Sequence, residues 1–368
     1  MIESVRNMML YHIQGEMEPQ VRINKVRSFL DFLSKSVPDK YNTYASFLGV
    51  YLNYANESLS MRDDASLLHD ELEEVNFPVY FSQFMEQATH FGLQYLVESS
   101  FQTMMAKNLS VEVVNSLRQI AGNSVEYQQY IDFLHNRTFR QTLLCHNNIQ
   151  LYDVIMPEQI NNLYIASSAR PESPKINVHS YSTERFSTSK EENFSASHPI
   201  TKIAMIYLNE IWPNPVKFDI LLEKANTRLV ETMPEHTSSH YNANNSEALA
   251  EDLLNAYKRS SNLVELHTYI PKFTLEISEQ PTVSPVARFQ VKNDTIVTNL
   301  RHERIDLKGT SHFHLLPYLD GSRNRAALLE IVKQLVVDDT INLQQETDLG
   351  EELDSILSQL ANATLLVD

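Results

Sequence analysis

Glycine is scarce and scattered in this chain: seven occur in 368 residues, at positions 15, 49, 92, 122, 309, 321 and 350, and no three share one short window. A G-x-G-x-x-G turn or a P-loop needs clustered glycines, because only they let backbone amides close on a pyrophosphate at a helix N-terminus. Neither motif is present. A nucleotide-type cofactor would have to be held by other means or by another chain, which points away from a complete nucleotide-dependent enzyme and towards a regulatory or substrate-handling module.

The length suggests two or three domains, each able to bury a real interior. No stretch approaches the roughly 18 unbroken apolar residues of a membrane helix. The N-terminal segment MIESVRNMMLYHIQGEM carries two acids where a signal peptide needs a clean apolar core, and Cys145 has no second cysteine to pair with, so a cytoplasmic protein is expected. Forty-seven acidic against thirty basic residues give a net charge of −17. That balance repels phosphate backbones and attracts basic partners.

Apolar residues recur at helical spacing through residues 1–150, with turn signals between the runs. A short segment around Met8, Met9 and Leu10 is followed by a helix over about 18–36, with Val21, Ile23, Val26, Phe29, Leu30, Phe32 and Leu33 on or near one face and Pro38 ending it, and by another from Asn42 to Asn56. An acidic helix is expected over 63–75, stopped by Asn76-Phe77-Pro78, since the residue before proline is pushed out of the helical region. Helices over 80–91, closed by Gly92 as a C′ residue, 110–121 and 124–137 complete this part. Between 139 and 200 short β-like pieces read as an extended, partly exposed connector. Helices return over 200–211, 215–228 and 246–259, the polar stretch 232–245 reads as a mobile loop, and LVELHTYIPKFTLEI reads as a strand pair. Near the C-terminus a short helix, an Asp320-Gly321 turn, a second helix with the polar first turn Ser322 to Arg325, a helix over 349–361 and a closing strand repeat the theme. The expected fold is mainly α with minor β: a helical domain over 1–150, a mixed connector and winged-helix-like unit over 151–285, and a C-terminal winged-helix-like unit over 286–368.

The strongest local chemistry is LLHDELEEVNFPVYFSQF, residues 67–84, where a charge run meets an aromatic cluster. On a helix His69 and Glu73 would stack four residues apart, as would Asp70 and Glu74. The plain reading is a solvated acidic helix face; the functional one is a pocket for an amine or amide substrate. A zinc site would need a third ligand, and His90 has no motif relation to the pair. His312 and His314 sit near a helix start, His236 and His240 lie in the polar stretch, and no acid or base can be assigned to Cys145-His146, so structural roles come first for all of them.

The order NMMLYH (7–12), VRSFLDFL (26–33), LLHDELEEVNFPVYFSQF (67–84), FGLQYLVES (91–99) and FLHNRTFRQTLLC (133–145) resembles the predicted methyltransferase regulatory domain. In that family the domain follows a class I, SAM-dependent methyltransferase domain, in proteins similar to the bacterial protein-lysine methyltransferases that modify outer-membrane protein B. LLPYLDGSRNRAALLEIV looks like the winged-helix-like end of those proteins. The resemblance implies the regulatory and substrate-binding portion of such an enzyme, not catalytic alone. No cofactor or metal is then expected in this chain, SAM belonging to a catalytic domain upstream of Met1 or in a partner. It implies a class I methyltransferase domain in cis or trans and a basic or lysine-bearing protein as partners, with no nucleic acid. It also selects His69, Asp70, Glu71, Asn76, Tyr80 and Phe81 as a surface facing the catalytic domain or its substrate. Two other functions stand beside this one. A winged-helix transcription regulator needs a basic recognition helix, and 322–337 offers only Arg323, Arg325 and Lys333 against Glu330. A self-sufficient metalloenzyme with a histidine-rich site would retain a stoichiometric ion on purification.

Overall fold

The computed structural model describes residues 2–36, 43–60, 63–104, 109–152, 154–232, 240–338, 340–341 and 348–367. The expected helix stop at Pro38 and the histidine at 236 lie outside them. The chain divides into two units: one comprises Met1–Tyr95, Asn108–Arg140 and Leu144–Asn148, the other Leu96–Lys107, Gln141–Leu143 and Ile149–Asp368.

The first unit is helical. Helices α1 (Ile2–His12), α2 (Pro19–Ser36) and α3 (Thr43–Ser60) enclose a core of Val5, Met9, Ile13, Ile23, Val26, Leu30, Leu52, Ala55 and Leu59. The apolar residues of α2 do not all share that face: Ile23, Val26 and Leu30 are buried, whereas Val21 and Phe32 are exposed, and Phe29 stacks flat on His12 with ring centroids 4.3 Å apart. A second, smaller cluster forms where α5 (Phe81–His90) packs on α7 (Ser124–His135), with Phe81, Met85 and Ala88 at its centre. Both helices that follow a loop are capped: Ser110 starts α6 (Val111–Ile120) and Asn123 starts α7, each side chain accepting a bond from an otherwise orphaned amide. Gly92, at φ +73°, ends α5 as expected, and leads into β1 (Leu93–Glu98), which pairs with β2 (Thr142–His146).

The acidic helix expected over 63–75 is shorter than the charge pattern implied. Asp63 caps a single turn, α4 (Asp64–Ser66), which runs into a π-helical turn at Leu67–Glu71. The Leu72 amide reaches five residues back to the Leu67 carbonyl at 3.1 Å and the backbone then leaves the helix. Arg22 takes the Leu72 carbonyl at 3.2 Å and Arg6 takes that of Glu73, so two guanidinium groups satisfy the end of the turn. Glu73 and Glu74 therefore lie past the helix, and the stacked pairs His69/Glu73 and Asp70/Glu74 do not form on one helical face.

The second unit holds two cores. In the first, α8 (Pro199–Ile211), α9 (Phe218–Thr232) and α10 (His240–Arg259) pack with the sheets β7-β3-β8 (Val216–Lys217, Tyr164–Ala166, Glu265–His267) and β4-β5-β6 (Arg170–Pro171, Glu184–Ser187, Asn193–Ala196). The stretch 139–200 is thus no exposed connector: Ile165, Ala166, Ala169, Phe186 and Ala196 are wholly buried, Ile165 and Ala166 on the middle strand of their sheet and Phe194 and Ala196 on the one inward face of β6. Nor is 232–245 a loop throughout, since α10 already begins at His240. The expected strand pair in LVELHTYIPKFTLEI is a single strand, β8, which pairs antiparallel with β3.

The other core belongs to residues 283–366. Here β9 (Thr282–Val283) pairs with β12 (Leu366–Val367), and α11 (Pro285–Gln290) precedes the hairpin β10 (Ile296–Thr298) to β11 (Arg304–Asp306). Then come α12 (Ser311–Leu315), α13 (Arg325–Val337) and α14 (Leu349–Asn362). The polar turn before α13 behaves as its composition demands: Asn324 caps the helix, and Gly321 at φ +81° stands where a Cβ would lie 2.6 Å from the Thr282 hydroxyl. The fold is mainly helical with minor strands, as the periodicities required.

Candidate binding surface

Segment 67–84 is held at both ends and open in between. Leu67 and Leu72 are buried at one end, Phe81 and Met85 at the other, while Val75, Phe77, Val79 and Tyr80 between them are 73%, 83%, 53% and 59% exposed. Extended backbone with a fixed-φ proline at its middle carries these side chains outward.

The predicted residues distribute as follows. His69 and Asp70 are exposed on the π-helical turn. Glu71 is half-buried, and its charge, after burial itself, helps push the Tyr51 hydroxyl above its ordinary value. Asn76 donates its side-chain amide to the Asp70 carbonyl at 2.9 Å, tying the extended stretch back to the turn. The Tyr80 backbone amide donates to the Gln83 side-chain oxygen at 2.9 Å, and its ring sits edge-on to Phe133 at 5.6 Å. Phe81 points inward instead, only 4% exposed. The turn therefore groups His69, Asp70, Glu71 and Asn76, with Tyr80 at the far end of the apolar stretch and Phe81 beneath it.

What lies under Phe81 was not anticipated. The Arg140 guanidinium sits 3.8 Å above the ring centroid and Tyr95 meets the ring edge-on at 5.2 Å. Arg140 is itself locked by a two-pronged pair with Asp132, both bonds 2.8 Å, and by the Gln128 carbonyl at 3.1 Å; Arg137 adds a second ion pair to Asp132 at 3.2 Å. The signal was present in IDFLHNRTFR, a buried acid followed by two arginines, but spacing alone does not say that an aromatic 59 positions upstream completes the stack. The exposed trio Val75, Phe77 and Val79 stands where the sequence shows the helix stop Asn76-Phe77-Pro78 and the start of the aromatic cluster.

Elsewhere, Lys202 is wholly buried on α8 and donates to the carbonyls of Asn177 and Ser180 at 3.1 and 2.8 Å and to the Ser182 hydroxyl at 3.5 Å. Burial pushes its amine below the ordinary lysine value. Beside it Thr201 donates to Asp252 at 2.6 Å, and burial raises that carboxyl while lowering His198. His312 lies half-buried on α12 and is likewise lowered by burial. Among the described residues no group of three His, Cys, Asp or Glu is placed to hold a metal ion, and no helix is long and apolar enough to cross a membrane. Gly15, Gly92, Gly309 and Gly321 take positive φ, each at a separate turn, so a nucleoside ligand would be held here by contacts other than a paired-glycine loop.

Comparison with known proteins places this geometry. Residues 63–146 match the family described as the predicted methyltransferase regulatory domain, and residues 279–366 match the PKMT C-terminal winged helix domain. The chain is 30% identical over 367 residues to the uncharacterized protein RP789 of Rickettsia prowazekii (strain Madrid E), a match covering 98% of this chain and 63% of that protein. It is 25% identical over 207 residues to RP027 of the same organism, covering 53% of this chain and 78% of that one. Among solved structures, PKMT2 from Rickettsia typhi superposes with a TM-score of 0.77 at 25% identity, over 100% of this chain and 72% of PKMT2. The same protein in complex with AdoHcy gives 0.76 at 24% identity. The chain is thus methyltransferase-related and PKMT-like, with a winged helix at its C-terminal end, and it spans about 63% of the length of RP789. The expectation that no cofactor belongs to this chain is overturned, because the AdoHcy complex matches this chain over its full length.

Proposed function

We propose that this methyltransferase-related chain forms the regulatory and substrate-binding portion of a SAM-dependent protein-lysine methyltransferase, working in the cytoplasm with a class I methyltransferase domain in cis or trans. The observation that carries the reading is the juxtaposition of an acidic turn, Asp70 to Glu74, with an exposed apolar stretch ending at Tyr80. Methyl transfer to a lysine requires the ammonium to be drawn in and then presented as a neutral amine. Asp70, Glu71, Glu73 and Glu74 attract the charged form by Coulomb interaction. Phe77, Val79 and Tyr80 strip water from the side chain, which disfavours its charge and lowers its pKa. SAM supplies the electrophilic methyl group. The residues of this chain bind and orient the lysine-bearing protein, and Asn76 keeps the turn and the apolar stretch in one fixed arrangement.

Alanine at His69, Asp70 and Tyr80 in the complete methyltransferase tests this. The expected result is at least a tenfold rise in KM for the protein substrate, on the order of 1.4 kcal/mol of binding, with kcat less affected. Unchanged activity and unchanged substrate binding would make the segment structural.

A further inference from the structure

One guanidinium of the C-terminal core reaches into the other core of the second unit. Arg301 stands at the tip of the β10–β11 hairpin, its side chain only 5% exposed, and it leaves its own core to meet the other. Its plane lies 4.1 Å from the centroid of Trp212, at the end of α8. One terminal nitrogen meets Glu265 of β8 at 2.5 Å, the other donates to the Pro213 carbonyl at 3.2 Å, and Nε pairs with Glu303 at 3.4 Å. The partners lie 36 and 88 residues away along the chain.

The hairpin tip that delivers Arg301 is firmly mounted on the C-terminal core. The Asn299 side-chain oxygen accepts from the amides of Arg301 and Glu303 at 3.0 and 2.8 Å, its amide donates to the Ala363 carbonyl at 3.1 Å, and the Leu300 amide donates to Thr364 at 3.0 Å. His302 holds the left-handed conformation that closes the turn, φ +63°. On the other side, the second carboxylate oxygen of Glu265 accepts from the His267 ring at 2.9 Å. Between β8 and the C-terminal core runs a short stretch, residues 268–272, without regular structure and with Tyr269 and Ile270 exposed; beyond it Phe273 is buried, the Thr274 amide donates to Leu366 at 3.1 Å and Ile277 packs on the C-terminal core.

We propose that Arg301 is a latch: closed, it fixes the C-terminal winged-helix core on the middle core, and opened, it frees that core to pivot about residues 268–272. Removing one partner from a buried ion pair leaves an uncompensated charge, so such a contact holds or fails as a whole. A planar guanidinium with all three nitrogens engaged and one face on an indole is a geometry lysine cannot reproduce.

Trp212 is the sole tryptophan, so its fluorescence reports the latch directly. In the full chain, Arg301→Met is expected to shift Trp212 emission to the red and to speed hydrogen exchange about tenfold at 264–267 and 299–303, with exchange at 203–208 and 353–360 unchanged and the scattering radius enlarged. Glu265→Gln should do the same, and the double variant should add nothing to either single one. Arg301→Lys should loosen the same amides by a smaller factor. The latch is overturned if Arg301→Met leaves exchange and emission as they were, if both cores lose protection together, or if the two substitutions simply add.

Discussion

Arg140 and Arg301 perform one piece of chemistry in two regions: each lays a guanidinium on an aromatic face, Phe81 or Trp212, and pairs with a carboxylate, Asp132 or Glu265. The difference is in what they join. Arg140 meets Asp132 eight residues away, across the end of a single helix, and braces the underside of an exposed stretch. Arg301 spans two cores through partners far apart in sequence. A clamp of the first kind makes a surface rigid, whereas one of the second kind sets the position of a whole body. The comparison shows why the same side-chain motif carries different consequences when its loop is short or long.

The largest effect that would sharpen this contrast is expected from Asp132→Asn. It leaves Arg137 and Arg140 without their shared carboxylate in a nearly buried site, at a cost of about 3–5 kcal/mol, read as a lower urea midpoint for the first unit with Trp212 fluorescence, a reporter of the second, unmoved. If Trp212 responded equally, the two regions would not be separable in this way. Smaller effects follow from conserving charge while losing the fork. Arg140→Lys should cost about 1–2 kcal/mol of global stability, whereas Arg301→Lys should leave each core's stability nearly intact and alter only the amides around the latch.

The smallest effect concerns protons and falls on the second unit. Burial holds His198 and His312 below the ordinary 6.5. As pH falls through 6.5 the unfolded chain binds protons first, so their contribution is complete above that value and is lost below it. Asp252, raised above 3.8 by burial, works with the opposite sign, its contribution being present below 3.8 and lost as pH rises through its folded value. A modest loss of second-unit stability is therefore expected just below pH 6.5, monitored by Trp212, and His198→Gln with His312→Gln should flatten it. At stronger acid Asp320, held at about 2 chiefly by hydrogen bonds from Ser322 with help from Arg323, loses its contribution as pH falls from 3.8 towards 2.

Much of the helical part was legible in the sequence because its signals are local. Caps at Ser110, Asn123 and Asn324, the C′ glycine at 92 and the Asp320-Gly321 turn each act within four residues, and periodicity places the long helices. The segments from LLHDELEEVNFPVYFSQF to RQTLLC, within the matched residues 63–146, indicated the relationship to methyltransferases, and LLPYLDGSRNRAALLEIV the winged-helix end, while NMMLYH and VRSFLDFL lie outside both matched regions. What escaped was non-local. Short strands such as Tyr164–Ala166 look like connector until their partners at 216 and 265 are known. The burial of Phe81 depends on Arg140, and the end of the acidic helix at Leu72 depends on guanidinium groups at 6 and 22 taking its carbonyls. The expectation of no cofactor rested on the missing glycine motif and on the resemblance, which assigned SAM to a separate catalytic domain; a nucleoside has other ways to be bound than a glycine-rich turn.

The π-helical turn at Leu67–Glu71 bears on how this region tolerates change in length. Such a turn contains one residue more than the α-helical turn that would span the same height. Deleting a single residue between Leu67 and Leu72 would let the turn relax to α geometry with both leucines still on the core, because the five-residue turn returns to the face that four α-helical residues reach. The loss would fall on the exposed side of the turn, which carries His69 and Asp70. The turn should thus shorten by one residue without unseating its anchors, whereas a second deletion would rotate Leu72 off the core by roughly 100°.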